Sequence, residues 1–304
     1  MFQREQWQSQ SPSPPAKAPS RADFILSLKK LAAKLGSEGP VKTLSTPRYV
    51  KALLSGVYII KTTDASYVWE HPFYPQFYVP KAELLEQSKN RSFTIEEVQD
   101  FKTDDGKPVA KQLKLTVPNS GASTDQVVAF NDKLSGKAEE LQGLVKIDFK
   151  AMDQWFEEDT PIHVHPKDPF KRVDILQANR PITVSVDGHE IASTSTAMHL
   201  YETGLPCRFY IPLTAIDPAV LRKSDTSTKC PYKGIAEYYN VEIGGKTYED
   251  LFWYYRAPTL ECAKVEGLCC PYNERVDITL DGKKLERPKT HFGPPKTTKP
   301  PSAA

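Results

Sequence analysis

Lys51-Ala-Leu-Leu-Ser-Gly-Val-Tyr-Ile-Ile-Lys-Thr62 and Thr183-Val-Ser-Val-Asp-Gly-His-Glu-Ile-Ala-Ser-Thr194 open two segments of one sequence that align without a gap. The alignment runs on through Glu70 and Glu202 to Phe77-Tyr-Val-Pro80 and Phe209-Tyr-Ile-Pro212. Eight of the thirty positions are identical: Gly56/Gly188, Ile59/Ile191, Thr62/Thr194, Ala65/Ala197, Glu70/Glu202, Phe77/Phe209, Tyr78/Tyr210 and Pro80/Pro212. Unrelated segments would share roughly two, so the chain is internally duplicated. A second match, from Gly143-Leu144 to Asp153 against Gly267-Leu268 to Asp277, closes each copy.

Each copy reads as strand, tight turn, strand, loop, strand. Asp187-Gly188 is a two-residue hairpin signal, and Ser55-Gly56 is its weaker counterpart. Further turns are marked by Asp105-Gly106, Gly244-Gly245 and Asp281-Gly282, beside β-rich runs such as Tyr238 to Ile243 and Lys246 to Tyr255. Helical patterns are few: part of Thr124 to Leu141, Ala151 to Glu157, and Thr259 to Val265. The expectation is a mainly β protein of two similar small domains, about 41–158 and 170–286, joined by a linker over 159–169. Ahead of them, Ser20 and Asp23 form a capping-box pattern. Phe24, Ile25, Leu28, Leu31, Ala32 and Leu35 follow at helical spacing, and Gly36 is placed as the stop. The helix docks on the body, or meets a membrane surface or partner, through that stripe. Residues 1–20, rich in Pro, Ser and Gln, and the Pro-rich residues 287–304 read as disordered tails.

Composition limits the function. Of 304 residues 39% are apolar and 26% charged, and the net charge of +2 gives no case for nucleic-acid binding. No apolar run is long enough to span a bilayer, and no secretory signal is expected. Five cysteines, Cys207, Cys230, Cys262, Cys269 and Cys270, form no Cys-x-x-Cys pair. That fits free thiols in a reducing, cytoplasmic setting and argues against structural zinc.

The chemistry concentrates in Ser224-Asp-Thr-Ser-Thr-Lys-Cys-Pro-Tyr-Lys-Gly234. Pro231 fixes one backbone angle and Gly234 frees another. Cys230, flanked by Lys229 and Lys233, is a nucleophile candidate; the plain alternative is a buried thiol packed before a proline. Lys233 suits Schiff-base or anion chemistry if desolvated, and otherwise is a solvated turn lysine. Glu202, among Tyr, Leu and Phe, would have a raised pKa and act as acid or base; its recurrence as Glu70 favours a structural role. Ser224, Asp225, Thr226 and Thr228 bind ligand oxygens or make unaided turn bonds. His163 and His165 alternate as on a strand, so they pack between domains or ligate a metal with Asp168 or Glu202. Tyr238, Tyr239, Phe252, Trp253, Tyr254 and Tyr255 lie on strands with one face in the core and the other free to line a pocket. No phosphate-binding glycine loop is present.

Several runs resemble the signature of the family known as domain of unknown function 427. They are His163-Val-His-Pro-Lys-Asp-Pro-Phe-Lys-Arg-Val-Asp174, Tyr201-Glu-Thr-Gly-Leu-Pro206, Phe209 to Pro212, Ser224 to Gly234, Trp253-Tyr-Tyr255 and Tyr272-Asn-Glu-Arg-Val-Asp277. The resemblance covers nearly all of 41–285, in tandem form. It implies a compact, strongly bent β sheet similar to tent-like folds that often hold zinc; without paired Cys-x-x-Cys knuckles, zinc does not carry over. It implies little about activity.

The N-terminal copy has Trp69-Glu-His-Pro-Phe-Tyr74 in place of Tyr201 to Pro206, and Arg91 to Asp105 with a polar stretch in place of the reactive motif. The reading is therefore one site, in the C-terminal domain, with the N-terminal domain as wall, lid or dimerisation surface of a homo-oligomer. Lys233, Cys230, Tyr232 and Glu202 would carry catalysis. Ser224, Asp225, Thr226, Thr228, Tyr210, Tyr239, Trp253, Tyr255, Asn273 and His165 would bind the ligand. The expected activity is a cofactor-independent lyase, isomerase or hydrolase step on a small oxygenated metabolite; the alternative is a non-catalytic binding or interaction module.

Overall fold

A computed structural model describes residues 20–90 and 92–290. Most of the two stretches expected as tails lies outside the described residues. Ser20 is described and caps the first helix, and 287–290 pack on the body: Arg287 Nε donates to Asp277 and Thr290 Oγ1 donates to Glu274.

The first half contains α1 (Arg21–Glu38), β1 (Lys42–Ser45), β2 (Val50–Leu54), β3 (Val57–Thr62), β4 (Ser66–Trp69), β5 (Gln76–Pro80) and α2 (Lys81–Ser88). It continues with β6 (Thr94–Lys102), β7 (Pro108–Val117), β8 (Ala122–Phe130), β9 (Leu144–Ile147), β10 (Gln154–Glu157) and β11 (Thr160–Ile162). The second half contains β12 (Val173–Ala178), β13 (Ile182–Val186), β14 (His189–Thr194), β15 (Ala197–Glu202), β16 (Arg208–Tyr210) and β17 (Leu221–Cys230). After it come β18 (Gly234–Ile243), β19 (Lys246–Pro258), β20 (Cys269–Pro271), β21 (Asp277–Leu280) and β22 (Lys283–Lys284).

Strand order proves the duplication. The first half forms a seven-stranded sheet β1-β4-β5-β9-β8-β7-β6 and a four-stranded sheet β11-β10-β2-β3. The second half repeats it as β12-β15-β16, β20-β19-β18-β17 and β22-β21-β13-β14. The first two pieces are joined by the Ile211–Cys269 bridge, whose reciprocal N–H···O bonds are both 2.8 Å. The predicted hairpin turns hold, with Ser55-Gly56 and Asp187-Gly188 all at positive φ.

In each half the large sheet lies over the small one, enclosing a core. The first includes Val50, Ile59, Phe77, Val127, Val145 and Trp155; the second includes Ile182, Ile191, Phe209, Val241, Phe252 and Ile278. The outer face of each large sheet is also apolar, and here the halves differ. In the first, α1 covers that face, with Leu28, Ala32 and Leu35 on Tyr78, Phe101, Val128 and Phe130. In the second, Leu200, Tyr210, Tyr238, Trp253 and Tyr255 are instead closed in by Ile175 of β12 and by the 3-10 turn Leu260–Val265. Lys264 Nζ donates to the Ile175 carbonyl at 3.2 Å and ties that closure.

Several local expectations are corrected. Thr124 to Phe130 is strand, not helix: Val127 and Ala129 face one core while Val128 and Phe130 face the other, and burial on both faces erases the alternation that marks a strand. Only Gly136–Leu141 of that stretch is a 3-10 turn. Ala151 to Glu157 is not helical either, since Gln154–Glu157 pairs with β2. Thr160–Ile162, read as linker, pairs with β10. Gly36 does not stop α1, which runs to Glu38. A side chain at Gly36 would collide with Val109 at 2.6 Å, so this glycine serves close approach. α2 was unanticipated; Leu84 buries its apolar side.

Truncation of Leu35, fully buried under α1, should cost about 2–5 kcal/mol as Leu35→Ala. Leu26→Ala, at a half-exposed position on the same helix, should stay within about 0.5 kcal/mol. Urea unfolding of the two variants checks the difference.

Candidate functional site

The motif lies along an edge strand and the turn that follows it. Ser224 to Cys230 belong to β17, and Pro231-Tyr232-Lys233 turns the chain into β18, with Cys230 opposite Gly234. Gly234 has φ +104°, and a side chain there would press on the Ala257 carbonyl, so the tight return needs glycine. The turn is held from below. Thr259 Oγ1 donates to the Tyr232 carbonyl at 2.5 Å, Cys262 Sγ lies 3.5 Å from that oxygen, and the Thr259 N–H donates to the Lys233 carbonyl at 3.1 Å.

That turn drives Lys233 inward. Its ammonium donates to Glu202 Oε2 at 2.5 Å and lies 3.9 Å from Cys230 Sγ. A second cation, Lys171, stands 3.3 Å from Glu202 Oε1. Lys233 and Glu202 are each 8% exposed and Tyr232 is 7% exposed, whereas Cys230 is half-buried. Burial alone would pull the Lys233 ammonium down, but Cys230 and the Glu202 carboxylate outweigh it, and its pKa moves up. Burial alone would raise Glu202; Lys233 and Lys171 together reverse this, so its pKa moves down. The raised carboxyl expected from the apolar sequence context is therefore corrected. The same field holds Lys233 as an ammonium rather than a neutral nucleophilic amine.

Over this pair lies the segment joining the halves. The Asp168 N–H donates to Tyr232 Oη at 2.8 Å, the Lys171 ammonium sits 5.4 Å from the Tyr232 ring, and His165 packs edge-on against that ring at 6.3 Å. The first half grips the other side. Trp69 Nε1 donates to Asp168 Oδ2 at 3.1 Å, Phe170 packs on Trp69, Lys42 caps the Phe170 ring at 3.1 Å, and Tyr74 stacks on His165 at 4.1 Å. His165 Nδ1–H donates to the Pro166 carbonyl at 2.7 Å, and burial chiefly lowers its pKa, keeping the ring neutral. Burial, then Lys229, does the same to His163. The two histidines do not share a strand as expected. Val164 between them has φ +71°, and Asp168 is already taken by Trp69 and by the Phe170 N–H.

The other expected ligands divide. Tyr210, Trp253 and Tyr255 do share one face, the outer apolar face of the large sheet, where Tyr210 and Tyr255 neighbour Cys230. Trp253 Nε1 donates to Tyr210 Oη at 3.0 Å, and burial first, then Cys230, drives the Tyr255 hydroxyl far up. Thr228 is tied to Tyr238 Oη at 2.6 Å. Ser224 and Thr226 turn away, donating to Asp250 at 2.6 and 2.8 Å; they form the bulge between Lys223 and Ser227, with Asp225 exposed. Tyr239 points to the opposite face and stacks on Tyr254. Asn273 Nδ2 donates to the Cys207 carbonyl, beside the buried Arg208–Glu274 pair. Sequence reasoning missed Lys171, Tyr74 and Phe170 as neighbours of the site. Each stands in a run already singled out, but nothing local says that two such runs meet.

The N-terminal twin shows what is special. Glu70, its side chain 10% exposed, is also paired, but with Lys146 of β9, and Tyr78 Oη donates to it at 3.1 Å. Lys146 aligns with Cys270, so the second half lacks that strand lysine and takes its cation from the Cys230–Gly234 turn. The twin does have a strand where the motif lies, β6, so the sequence gap between the copies is one of side chains and not of architecture.

Loss of one partner should strand the other charge. Glu202→Gln should destabilise by about 3–5 kcal/mol at neutral pH, a cost typical of breaking a buried pair. Because the folded pKa of Glu202 lies below its unfolded value of roughly 4.3, the pair's contribution is present above that value and fades as pH falls through the folded pKa. Denaturant titrations at pH 7 and pH 3 should show the wild-type advantage shrinking at the acid end.

The profile of the family described as domain of unknown function (DUF427) matches residues 42–158 and 174–282, which correspond to the two structural copies. No curated protein matches the chain. With both matched segments forming the same strand order, the chain belongs to the DUF427 family and carries its domain twice.

Proposed function

We propose that the second copy is a cofactor-independent enzyme domain that binds a small oxygenated metabolite at the Glu202–Lys233 pair and catalyses a lyase, isomerase or hydrolase step. The observation that carries this reading is two lysines on one buried carboxylate beside a half-buried thiol, where the twin manages with a single strand lysine. A buried ion pair is a poor device for stability alone. Here it is built from the turn that also carries Cys230 and Tyr232, which favours chemistry. Lys233 serves as a fixed ammonium that stabilises negative charge developing on a substrate oxygen. Cys230 is the nearby nucleophile candidate. Glu202 anchors Lys233, and Tyr232, its hydroxyl bonded by the Asp168 N–H, orients the covering segment. Tyr210, Trp253 and Tyr255 form the aromatic wall. The five cysteines are all free, in keeping with a cytoplasmic setting. No helix among the described residues is long and apolar enough to cross a membrane.

One observation favours the second reading, a non-catalytic binding module. Lys233, Glu202 and Tyr232 are closed off, while surface depressions lie elsewhere, lined by Asn273, Val276, Ile278 and Asp277 with Leu285 and Arg287.

Incubation with a metabolite mixture, followed by mass spectrometry, should reveal one depleted compound. Lys233→Ala should then lower its turnover by roughly 10²- to 10³-fold, the scale of losing one oxyanion-stabilising donor. Cys230→Ser should lower it as well. Unchanged turnover in both variants rejects the enzyme reading. Ligand-induced thermal stabilisation with no product leaves the binding module.

A further inference from the structure

The segment from His163 to Arg172 has the build of a moving part. At its start Val164, a β-branched residue, is held at φ +71°, and the His165 N–H donates to the His163 carbonyl at 2.8 Å across it. Such a three-residue turn with positive φ is strained, and valine suits it poorly. At its end Arg172 is tied to Thr203 by the Arg172 N–H to Thr203 Oγ1 and the Thr203 N–H to the Arg172 carbonyl, both 3.0 Å. Between these anchors Pro166 and Pro169 stiffen the chain. Its contacts to either side are ring faces, one amide bond, one indole bond and two ion pairs, Lys171–Glu202 and the exposed Lys167–Glu261, and none inserts into either central core. Phe170 itself is 57% exposed.

We propose that residues His165–Lys171 are a strap, hinged at Val164 and Arg172, which lifts from the Glu202–Lys233 pair to admit a small molecule and closes over it. This rests on the reading of that pair as a site. Lifting uncovers Tyr232 and withdraws Lys171, leaving Lys233 as the single cation on Glu202. The carboxylate thereby becomes a stronger acceptor when the site is open. The Trp69-to-Tyr74 loop of the first copy is the catch, so the site-poor copy serves the other by holding the strap through Trp69 and Tyr74. At the matching place in the first half, Lys146 lies within β9 in the middle of the large sheet, so Glu70–Lys146 is a built-in control whose cation is held by the sheet itself.

The test is acetylation of lysines in the full chain with an amine-reactive ester, mapped by peptide mass spectrometry. Lys233 should label faster than Lys146 in the wild type, because a strap opens locally while a central strand does not. Phe170→Ala and Asp168→Ala, which loosen the catch, should speed Lys233 labelling by roughly tenfold or more and leave Lys146 unchanged. Hydrogen exchange adds a measurement that needs no variant: the Asp168 amide should exchange well ahead of the β18 amides. The strap is overturned if Lys233 keeps its wild-type rate in both variants, if Lys233 and Lys146 rise together, or if the Asp168 amide exchanges with β18. Turnover plays no part in these readouts. A labelling response without any substrate leaves the strap standing and removes the enzyme, and turnover without a labelling response does the reverse.

Discussion

A carboxylate taken out of water must be met by a cation, and this protein meets that demand twice at one position of a repeated sheet. Desolvation of Glu70 and Glu202 is too costly to leave unanswered. In the first half the answer comes from within the sheet, where β9 supplies Lys146 and Tyr78 adds a hydroxyl. In the second half Cys270 occupies the corresponding strand position, Tyr210 is engaged by Trp253, and the cation arrives on a hairpin turn. The turn brings its neighbours with it. Cys230, Tyr232 and the groups that hold Tyr232 are where they are because Lys233 has to reach Glu202.

The same substitution of means appears on the outer face. An apolar sheet face cannot remain bare, and the first half hides its own under an amphipathic helix. The second half has no helix there. It fills the face with aromatic rings and folds β12 and a 3-10 turn against them. Aromatic rings with hydroxyl or indole tips can bury area and still offer hydrogen bonds. The second copy thus has a polar-edged interior next to the Glu202–Lys233 pair, while the first has a sealed one. The segment between the halves then lies across the pair, gripped by both.

Much of the fold was legible in the residues. The paired glycines, prolines and hairpin turns expose the duplication because their backbone requirements are local, and the helix start at Ser20 follows from a capping box for the same reason. Strand β8 was hidden because residues buried from both sides lose the period-two signal, and β10 because four residues are too few to show one. Within the candidate site, Lys233, Cys230 and Tyr232 stood out as one dense run. Ser224, Thr226 and Tyr239 stood out equally and are elsewhere, spent on Asp250 or turned to the other core. A bulge shifts the alternation of side chains, and no local feature reports it.

Residue order was enough to establish that the chain is a tandem β protein, where its hairpins turn, and that one copy carries reactive side chains the other does without. These follow from periodicity, turn chemistry and composition, which act over a few residues. The charge state and company of those side chains were settled only when the chain folded. Glu202 is lowered rather than raised because Lys171 and Lys233, far apart along the chain, converge on it. The joining segment came to lie over the Glu202–Lys233 pair because both halves close on it. Electrostatic energy depends on distance in space and on the water excluded between charges, and neither quantity is written in the order of residues.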